Sequence, residues 1–273
     1  MAKTVKVIVL RTAGTNCDKE TVFAFEAVGA EVASVHVNRL IAGEKDLSAY
    51  HILAIPGGFS YGDDIAAGKI LANELRFKLR NQLEKFVAEG KLIIGICNGF
   101  QVLVKSGLLP GNESIRQEAT LSLNDSAKFE DRWVYLRMPN VKCQINSQFP
   151  MPKCVWTQGL KETIYLPVAH GEGKFMAQDK AVLQRLKQNG QIVFQYCDAD
   201  GRLAGYPANP NGSQEHIAGI CDSTGRIFGL MPHPERHFLK EQHPQWTRSR
   251  GLLEHGDGYA IFKNGVDYVR ANL

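Results

Sequence analysis

The chain has 273 residues, of which 44% are hydrophobic, and it carries a formal net charge of +4. This length and apolar content suit one large domain or two small ones with a sizeable core, and they exclude a disordered chain. The mild charge, without a block of Lys and Arg, does not favour a nucleic-acid-binding protein. No apolar stretch reaches the roughly 18 to 20 residues of a membrane span. The N-terminal segment MAKTVKVIVL lacks the small-residue cleavage site of a signal peptide. We therefore expect a cytoplasmic protein.

Strands and helices are predicted to alternate through the first third of the chain. Short runs rich in Val and Ile predict strands over residues 6–10, 31–37, 51–55 and 92–96. Helical patterns lie between them, over residues 18–28 and 72–88, and end at Gly29 and Gly90. This alternation is typical of a parallel sheet covered by helices on both faces.

The rest of the chain is richer in strands. Strands are predicted over residues 119–123, 132–138, 163–168, 191–196, 217–221 and 227–231, with helices over residues 180–187 and 258–270. Proline-flanked bends predict an irregular insertion over residues 140–160. Because no repeat and no low-complexity linker divides the sequence, we expect a single domain, residues 1–273, with a mixed sheet.

The cysteines form no recognisable framework. All six are scattered without a C-x-x-C pair, which fits neither a disulfide scaffold nor a zinc ribbon. A buried apolar role is the ordinary expectation for each of them. Cys97 departs from it, because it stands in the stretch GICNG between a predicted strand and a helix-like run. A strand, a G-x-nucleophile-x-G turn and a helix make a nucleophile elbow, in which the helix N-terminus stabilises a thiolate.

A nucleophilic thiolate needs a base, and the base needs an acceptor that orients it. The stretch MPHPER places His233 between two prolines, in an extended loop straight after the predicted strand of residues 227–231. Glu235 is two residues further on, so both side chains point to the same side. We predict that Glu235 accepts from one imidazole nitrogen and leaves the other facing Cys97.

The third requirement is a set of donors for a developing oxyanion. The backbone N–H of Asn98 comes with the elbow itself. A second donor is expected from the stretch AIPGGFS, where Gly57 and Gly58 follow a predicted strand and allow a close approach of the backbone. The sequence contains neither a G-x-G-x-x-G pattern nor a Walker A pattern, so we expect no nucleotide phosphate loop in this chain.

The motifs PGG, GICNGFQ and HPE stand in the order typical of one enzyme family. In that combination the chain resembles the class I, or triad, glutamine amidotransferases. The resemblance implies an α/β fold with a mixed, mainly parallel sheet flanked by helices, a flavodoxin-like three-layer sandwich. It also implies that a triad of Cys97, His233 and Glu235 hydrolyses glutamine through a glutamyl thioester and releases ammonia, with no metal or other cofactor in this chain. Gln101 and Phe59 would contribute to substrate binding.

Further segments are similar to one group within that family, the glutaminase subunits of phosphoribosylformylglycinamidine synthase in purine biosynthesis. They are GTNCDKE, PGGFSYGDD, FEDRWVYLR, PVAHGEGKF and MPHPER. The resemblance places His170 and Glu172 of HGEG near the glutaminase site. It implies that ammonia passes to a separate synthetase subunit, which binds ATP and Mg and converts formylglycinamide ribonucleotide to formylglycinamidine ribonucleotide. A small third subunit is a further expected partner, whereas nucleic acid and membrane are not expected.

Three other interpretations stay open at this point. One is the glutaminase of another ammonia-requiring synthase, such as those making GMP, CTP or carbamoyl phosphate, although GTNCD and HGEGKF argue against it. A stand-alone hydrolase of γ-glutamyl peptides would use the same triad without a partner. A non-enzymatic docking subunit would keep only the fold, which an intact Cys97, His233 and Glu235 disfavours.

Overall fold

A nine-stranded sheet runs through the centre of the molecule. The computed structural model describes residues 3–111, 115–139, 154–248 and 254–273. The strands are β1 (Lys6–Arg11), β2 (Glu31–His36), β3 (Ile52–Ile55), β4 (Leu92–Ile96), β5 (Ala119–Ser122), β6 (Glu130–Arg137), β7 (Thr163–His170), β8 (Lys174–Ala177), β9 (Ile192–Cys197), β10 (Ile217–Cys221) and β11 (Ile227–Leu230). The helices are α1 (Asp18–Ala27), α2 (Val37–Ile41), α3 (Lys69–Lys78), α4 (Arg80–Ala88), α5 (Asn98–Ser106), α6 (Lys180–Gln188) and α7 (Tyr259–Asn272). Within the described ranges, no helix has both the length and the apolar character needed to cross a membrane.

The strand order of the main sheet is β2-β1-β3-β4-β11-β10-β9-β6-β7, and β5 and β8 form a separate two-stranded sheet. The first five strands in this order, β2-β1-β3-β4-β11, run parallel to one another. From β11 onward, each strand in the order β11-β10-β9-β6-β7 runs antiparallel to its neighbour. As a result, the carboxyl ends of β3, β4, β11 and β7 meet at one edge. All the predicted site residues lie at the ends of these four strands or just after them, where open α/β sheets bind ligands. The predicted mixed sheet flanked by helices is confirmed.

The central strands are buried on both faces and the last strands on one face. Every residue of β4 and β11 is buried, as expected for strands covered by helices on both sides. β7 alternates between partly and fully buried positions along its whole length, so one of its faces packs into the core. α1 packs against α7, where the rings of Phe25 and Phe262 meet edge to face with centroids 5.0 Å apart. α5 packs against α3 and against β3, β4 and β11.

The single helix predicted over residues 72–88 is wrong, because the structure has two helices there, α3 and α4. At Leu79 the backbone leaves the helical region, with φ −115° and ψ 10°, and its N–H bonds to the Glu74 carbonyl at 3.2 Å. α3 packs on α5, whereas α4 packs on the 3-10 turn Leu47–Ala49. The break lets each half bury its leucines against a different partner, which one straight helix cannot do.

The sequence does not predict two short elements, α2 and β8. α2 begins after His36, whose ring accepts the Asn38 N–H at 3.2 Å and caps the helix. β8 pairs antiparallel with β5, so its strand structure depends on a partner that lies far away in the sequence. Elements of four or five residues are too short to carry a clear hydrophobic period.

The insertion predicted over residues 140–160 lies largely outside the described residues, which stop at 139 and resume at 154. In the part that is described, residues 154–157 are buried. Trp156, in the 3-10 turn Val155–Thr157, is fully buried, and its indole N–H donates to the Arg226 carbonyl at 3.1 Å. A Cβ atom on Gly265 of α7 would lie 2.4 Å from the Trp156 ring. This turn is therefore anchored against α7.

Candidate active site

Cys97 lies at a sharp turn between β4 and α5. Its backbone has φ 52° and ψ −106°, a region that residues with side chains rarely adopt. Surrounding contacts hold it there: its N–H donates to the Leu230 carbonyl of β11 at 2.8 Å, and α5 begins with the next residue, Asn98. This is the geometry of a nucleophile elbow, in which backbone strain presents the side chain in front of a helix N-terminus.

Two glycines permit this turn. A Cβ atom on Gly99 would lie 1.8 Å from the Ile55 carbonyl oxygen of β3, and one on Gly95 would lie 2.6 Å from the Gly99 carbonyl oxygen. A side-chain rotation cannot relieve distances this short, because the opposing atoms belong to the backbone. Glycine is therefore required at both positions for steric reasons.

We expect Gly99→Ala to lower the free energy of unfolding by about 2–4 kcal/mol, because the added methyl group forces β3 and α5 apart. Urea denaturation followed by circular dichroism measures the loss. Gly205→Ala is the matched control, since a Cβ atom there meets no atom within 4 Å, and it should leave the midpoint nearly unchanged. Equal midpoints for the two variants would contradict the close packing of the elbow against β3.

His233 and Glu235 form a buried, hydrogen-bonded pair. Nδ1 of His233 lies 2.6 Å from Oε1 of Glu235, and the two side chains are 2% and 0% exposed. Because an ionised carboxylate can only accept, Nδ1 carries the proton, and Nε2 is the nitrogen left for a second partner. The His233 N–H donates to the Pro167 carbonyl of β7 at 2.8 Å. That bond holds the loop after β11 against the edge of the sheet.

Cys97 and His233 both lie close to Gly57. A Cβ atom on Gly57 would lie 2.8 Å from Cε1 of His233 and 3.5 Å from Cβ of Cys97. The Cys97 thiol itself donates to the Ala169 carbonyl of β7 at 3.6 Å. Nε2 of His233 has no hydrogen-bond partner among the described residues. The thiol thus donates to β7, while its sulfur lies near enough to His233 to affect the pKa of the ring.

The charges around His233 favour its protonated form. Burial by itself lowers the pKa of this imidazole, but the Glu235 carboxylate and the Cys97 sulfur raise the pKa and together hold it well above its usual value of 6.5. An imidazolium beside the elbow stabilises a thiolate, which is the nucleophilic form of cysteine. This environment suits a reaction that starts from a thiolate and an imidazolium.

The glycine loop after β3 presents a peptide group to the elbow. The Gly57 carbonyl accepts hydrogen bonds from the N–H groups of Asn16 and Cys17 at 3.4 and 3.2 Å. Because the C=O and N–H of one trans peptide point in opposite directions, the Gly58 N–H points away from those two residues. It donates to no backbone carbonyl in the part of the chain that the structure describes. The N–H groups of Gly58 and Asn98 are therefore candidate donors to an oxyanion.

The backbone N–H of Phe59 is not a third candidate donor to the oxyanion. The Phe59 N–H donates to the Gly14 carbonyl at 2.9 Å, so it is engaged within the protein. Its ring is 46% exposed and stacks against the ring of Phe129, with centroids 6.4 Å apart. The ring, rather than the amide, is the part of Phe59 that is left to contact a ligand.

Gln101 and Glu172 belong to a hydrogen-bond network behind the elbow. Gln101 donates from Nε2 to the Glu172 carbonyl at 2.5 Å and accepts from Nδ2 of Asn98 at 2.8 Å. The Glu172 carboxylate accepts from the Ala67 N–H at 3.3 Å and pairs with Nζ of Lys105 at 3.5 Å. Both ends of the Gln101 side-chain amide are engaged, so Gln101 holds the loop after β7 against α5.

His170, at the end of β7, is a buried neutral histidine. Its Nδ1 atom lies 3.1 Å from Oδ1 of Asn124, which also accepts the Gly173 N–H at 3.0 Å. His170 therefore donates from Nδ1, and Nε2 is an acceptor that has no partner among the described residues. Burial, and then the charge of His233, lower the pKa of His170 to about 3. The ring is thus uncharged near neutral pH.

Two residues at the site were absent from the sequence-based prediction. Cys17 places its Sγ atom 3.9 Å from Nδ1 of His233, and Lys105 is a buried cation that pairs with Glu172. The segment GTNCD follows β1, whose carboxyl end lies at the same edge as that of β4, and this position could have indicated Cys17. The sequence holds no comparable signal for Lys105, because lysine on a helix is usually exposed.

One group of side chains has the composition of a metal site. Within the described ranges, the ligand atoms of Cys17, His233 and Glu235 all lie within 4.8 Å of one another. Arg236 donates from Nη2 to Sγ of Cys17 at 3.2 Å, and this fixed positive charge opposes a cation at the same point. The three side chains therefore fit a hydrogen-bonded cluster better than a metal centre.

Comparison with known proteins identifies relatives of this chain. The profile of the CobB/CobQ-like glutamine amidotransferase domain matches residues 4–269. A protein of Dehalococcoides mccartyi named phosphoribosylformylglycinamidine synthase subunit PurQ is 50% identical over 267 residues, which are 97% of this chain and 98% of the relative. A protein of Methanococcus maripaludis with the same name is 43% identical and covers 96% of this chain and 97% of the relative.

Solved structures share the fold over the full length. A chain in the structure of PurLQS from Thermotoga maritima is 30% identical, with a TM-score of 0.71, and the match covers 98% of this chain and 100% of that one. A glutamine amidotransferase of the same organism is 14% identical, with a TM-score of 0.53, and the match covers 99% and 100% of the two chains. At that identity the second similarity shows the fold alone.

Proposed function

The chain belongs to the CobB/CobQ-like glutamine amidotransferase family, and from this we propose that it hydrolyses glutamine to glutamate and ammonia for a separate synthetase subunit. The synthetase uses the ammonia to convert formylglycinamide ribonucleotide to formylglycinamidine ribonucleotide, in line with the names of the PurQ relatives. The observation that carries the proposal is that Cys97 and the His233–Glu235 pair lie next to each other at the carboxyl edge of one sheet.

The first half of the reaction forms an acyl enzyme. The Cys97 thiolate attacks the side-chain carbonyl carbon of glutamine, and the resulting oxyanion accepts hydrogen bonds from the N–H groups of Asn98 and Gly58. His233 then gives its Nε2 proton to the amide nitrogen. The C–N bond breaks, ammonia leaves, and a glutamyl thioester remains on Cys97.

The second half of the reaction regenerates the enzyme. Water attacks the thioester carbonyl while Nε2 of His233 removes a proton from it, and the C–S bond breaks to release glutamate and the Cys97 thiolate. Glu235 accepts from Nδ1 throughout, which keeps the ring in one tautomer and stabilises the imidazolium. The same side chain thus serves first as acid and then as base.

The other predicted residues are proposed to shape the glutamine pocket. Nε2 of His170, which has no partner among the described residues, is suited to accept a hydrogen bond from an N–H group of the substrate. The exposed ring of Phe59 is suited to cover the substrate at the mouth of the site. Gln101 and Glu172 act by holding the loop after β7 in place, since their polar groups are engaged with one another, with Asn98 and with Lys105.

The partners and location follow from the same proposal. We propose that this chain works without a cofactor of its own and that ATP and Mg bind to the synthetase subunit. The PurLQS assembly of Thermotoga maritima supports a complex that also contains a small third subunit. A protein with these partners is expected to act in the cytoplasm.

We expect the isolated chain to hydrolyse glutamine about 5- to 150-fold more slowly than the complex, the range typical of coupling between binding sites. The reason is that in the free chain the Cys97 thiol bonds to the Ala169 carbonyl and Nε2 of His233 lacks a partner among the described residues. Glutamate formation is measured for the chain alone, with the synthetase, and with synthetase, ATP and formylglycinamide ribonucleotide together.

The synthetase without this chain is the control for background hydrolysis. Equal glutaminase rates with and without the synthetase would reject activation by docking. Turnover of γ-glutamyl peptides by the chain alone, at a rate above its glutamine hydrolysis, would instead support a stand-alone hydrolase.

A further inference from the structure

A second buried thiol lies against the imidazole of the triad. Cys17 is in the segment between β1 and α1 and is 1% exposed. Its Sγ atom lies 3.9 Å from Nδ1 of His233. This is the nitrogen that Glu235 also contacts, so the thiol packs against the ring on the side of Nδ1 and leaves Nε2 to the reaction. The proposed reaction uses no atom of Cys17.

Cys17 is anchored on several sides. Its thiol donates to Oδ1 of Asn16 at 3.1 Å, and Nη2 of Arg236 donates to its sulfur at 3.2 Å. Its carbonyl accepts from Oγ1 of Thr21 at 2.7 Å, which ties it to the first turn of α1. Arg236 is held in turn by Glu20, whose carboxylate lies 3.1 Å from Nε. The position of Sγ is therefore set by α1 and by the loop that carries the triad.

The backbone of Cys17 is hydrogen-bonded to the glycine loop after β3, residues 57–59, which is called the oxyanion loop below. With Asn16, it donates its N–H to the Gly57 carbonyl, and Thr15 and Gly58 form an antiparallel bridge. The approach is close: a Cβ atom on Gly14 would lie 1.9 Å from the Phe59 carbonyl oxygen. These contacts hold residues 14–17 tightly against the peptide group that presents the Gly58 N–H.

We propose that Cys17 is a positioning residue: its side chain holds the imidazole of His233 at a set orientation relative to the oxyanion loop, to which its backbone is bound. The inference rests on the proposed glutaminase function. It gives a physical reason for the cysteine of the GTNCD segment, which the triad by itself leaves unexplained.

The environment of Cys17 argues against a second nucleophile. Burial raises the pKa of its thiol, and although the hydrogen bond with His233 opposes this, the pKa stays above its usual value of 9.0. A protonated thiol with almost no exposed surface reacts poorly with an electrophile. Its contacts with His233 and Arg236 are polar contacts that can orient these side chains.

The test compares Cys17→Ala and Cys17→Ser with the unchanged chain in its complex with the synthetase. Both variants keep the backbone N–H, so they alter the side chain alone. We expect Cys17→Ala to lower kcat for glutamine about 10-fold, with KM changed less than about twofold, as for a loss of orientation rather than of binding. Cys17→Ser, which retains a polar hydrogen-bonding group, should recover at least half of the lost kcat on a logarithmic scale.

Cys197→Ala is the matched control, since Cys197 is also 1% exposed but lies on β9, where its backbone pairs with Tyr135 of β6. It should change kcat less than about twofold. Equal losses of kcat in Cys17→Ala and Cys197→Ala would reduce Cys17 to a packing residue and overturn the proposal. A Cys17→Ser variant as slow as Cys17→Ala would do the same.

A second measurement does not depend on glutamine hydrolysis. The rate of Cys97 alkylation by iodoacetamide is followed against pH by peptide mass spectrometry in the isolated chain. The contact with Cys17 helps to raise the pKa of His233, so in Cys17→Ala the step in the alkylation profile that reports deprotonation of His233 should move to a lower pH. An unchanged profile overturns the positioning role. Absence of glutaminase activity in the unchanged complex would refute the proposed function, and the alkylation profile would still decide the role of Cys17.

Discussion

Cys97→Ser is expected to lower glutamine-dependent synthesis by the complex at least about 1000-fold, while synthesis from added ammonium salt stays within about twofold of the unchanged complex. Serine fits the strained backbone of the elbow because it is nearly the same size as cysteine. Its hydroxyl, however, is far less acidic than a thiol, so serine does not supply the ionised nucleophile that cysteine supplies beside an imidazolium. Formation of formylglycinamidine ribonucleotide from glutamine and from ammonium salt measures the two activities.

The contrast between nitrogen sources separates chemistry from assembly. A misfolded variant would fail to bind the synthetase, which size-exclusion chromatography of the complex detects. Cys197→Ser is the matched control, because burial raises the pKa of Cys197 to about 11 and leaves its thiol unreactive. Glutamine hydrolysis that persists in Cys97→Ser would remove Cys97 from the mechanism.

Glu235→Gln is expected to lower kcat about 100- to 10,000-fold, because a glutamine in that position can offer its N–H to Nδ1 and stabilise the wrong tautomer. The change also removes the carboxylate that raises the pKa of His233 against the effect of burial. With a lower pKa, the imidazolium deprotonates at a lower pH, so the alkaline limb of the pH–rate profile should move toward acid. Steady-state kinetics across pH in the complex measures both effects.

Asp222→Asn is the matched control for losing a buried carboxylate. Asp222 is 6% exposed and accepts the Ile227 N–H at 2.8 Å, at the opposite end of β11 from His233. It should change kcat less than about twofold at every pH. A Glu235→Gln variant with the unchanged pH profile would show that the carboxylate does not control the ionisation of His233.

Much of the site is predictable because its parts are local in the sequence. The elbow at Cys97 requires only a strand, two flanking glycines and a helix, and all of these lie within a few positions. The His233–Glu235 hydrogen bond likewise joins residues two positions apart. Short-range steric rules and the alternation of side chains along an extended segment are sufficient to predict such units.

Elements whose form depends on a distant partner are the ones that sequence patterns miss. β8 is a strand because β5 pairs with it, and the helix predicted over residues 72–88 breaks because α5 and the turn Leu47–Ala49 lie in different places. The engagement of Gln101 with Glu172 is of the same kind. None of these contacts has a local signature that periodicity can detect.

By itself, the sequence determined the strand–helix alternation of the first third of the chain and indicated the candidates for nucleophile, base and acceptor, because each of these depends on neighbouring residues. Only the tertiary structure decided that the thiol of Cys97 points to β7, that Cys17 packs on His233 and that Lys105 is a buried cation. The reason is physical: these features depend on which atoms from distant strands share a small volume at the edge of the sheet. Distances and burial there follow from packing, which has no one-dimensional pattern.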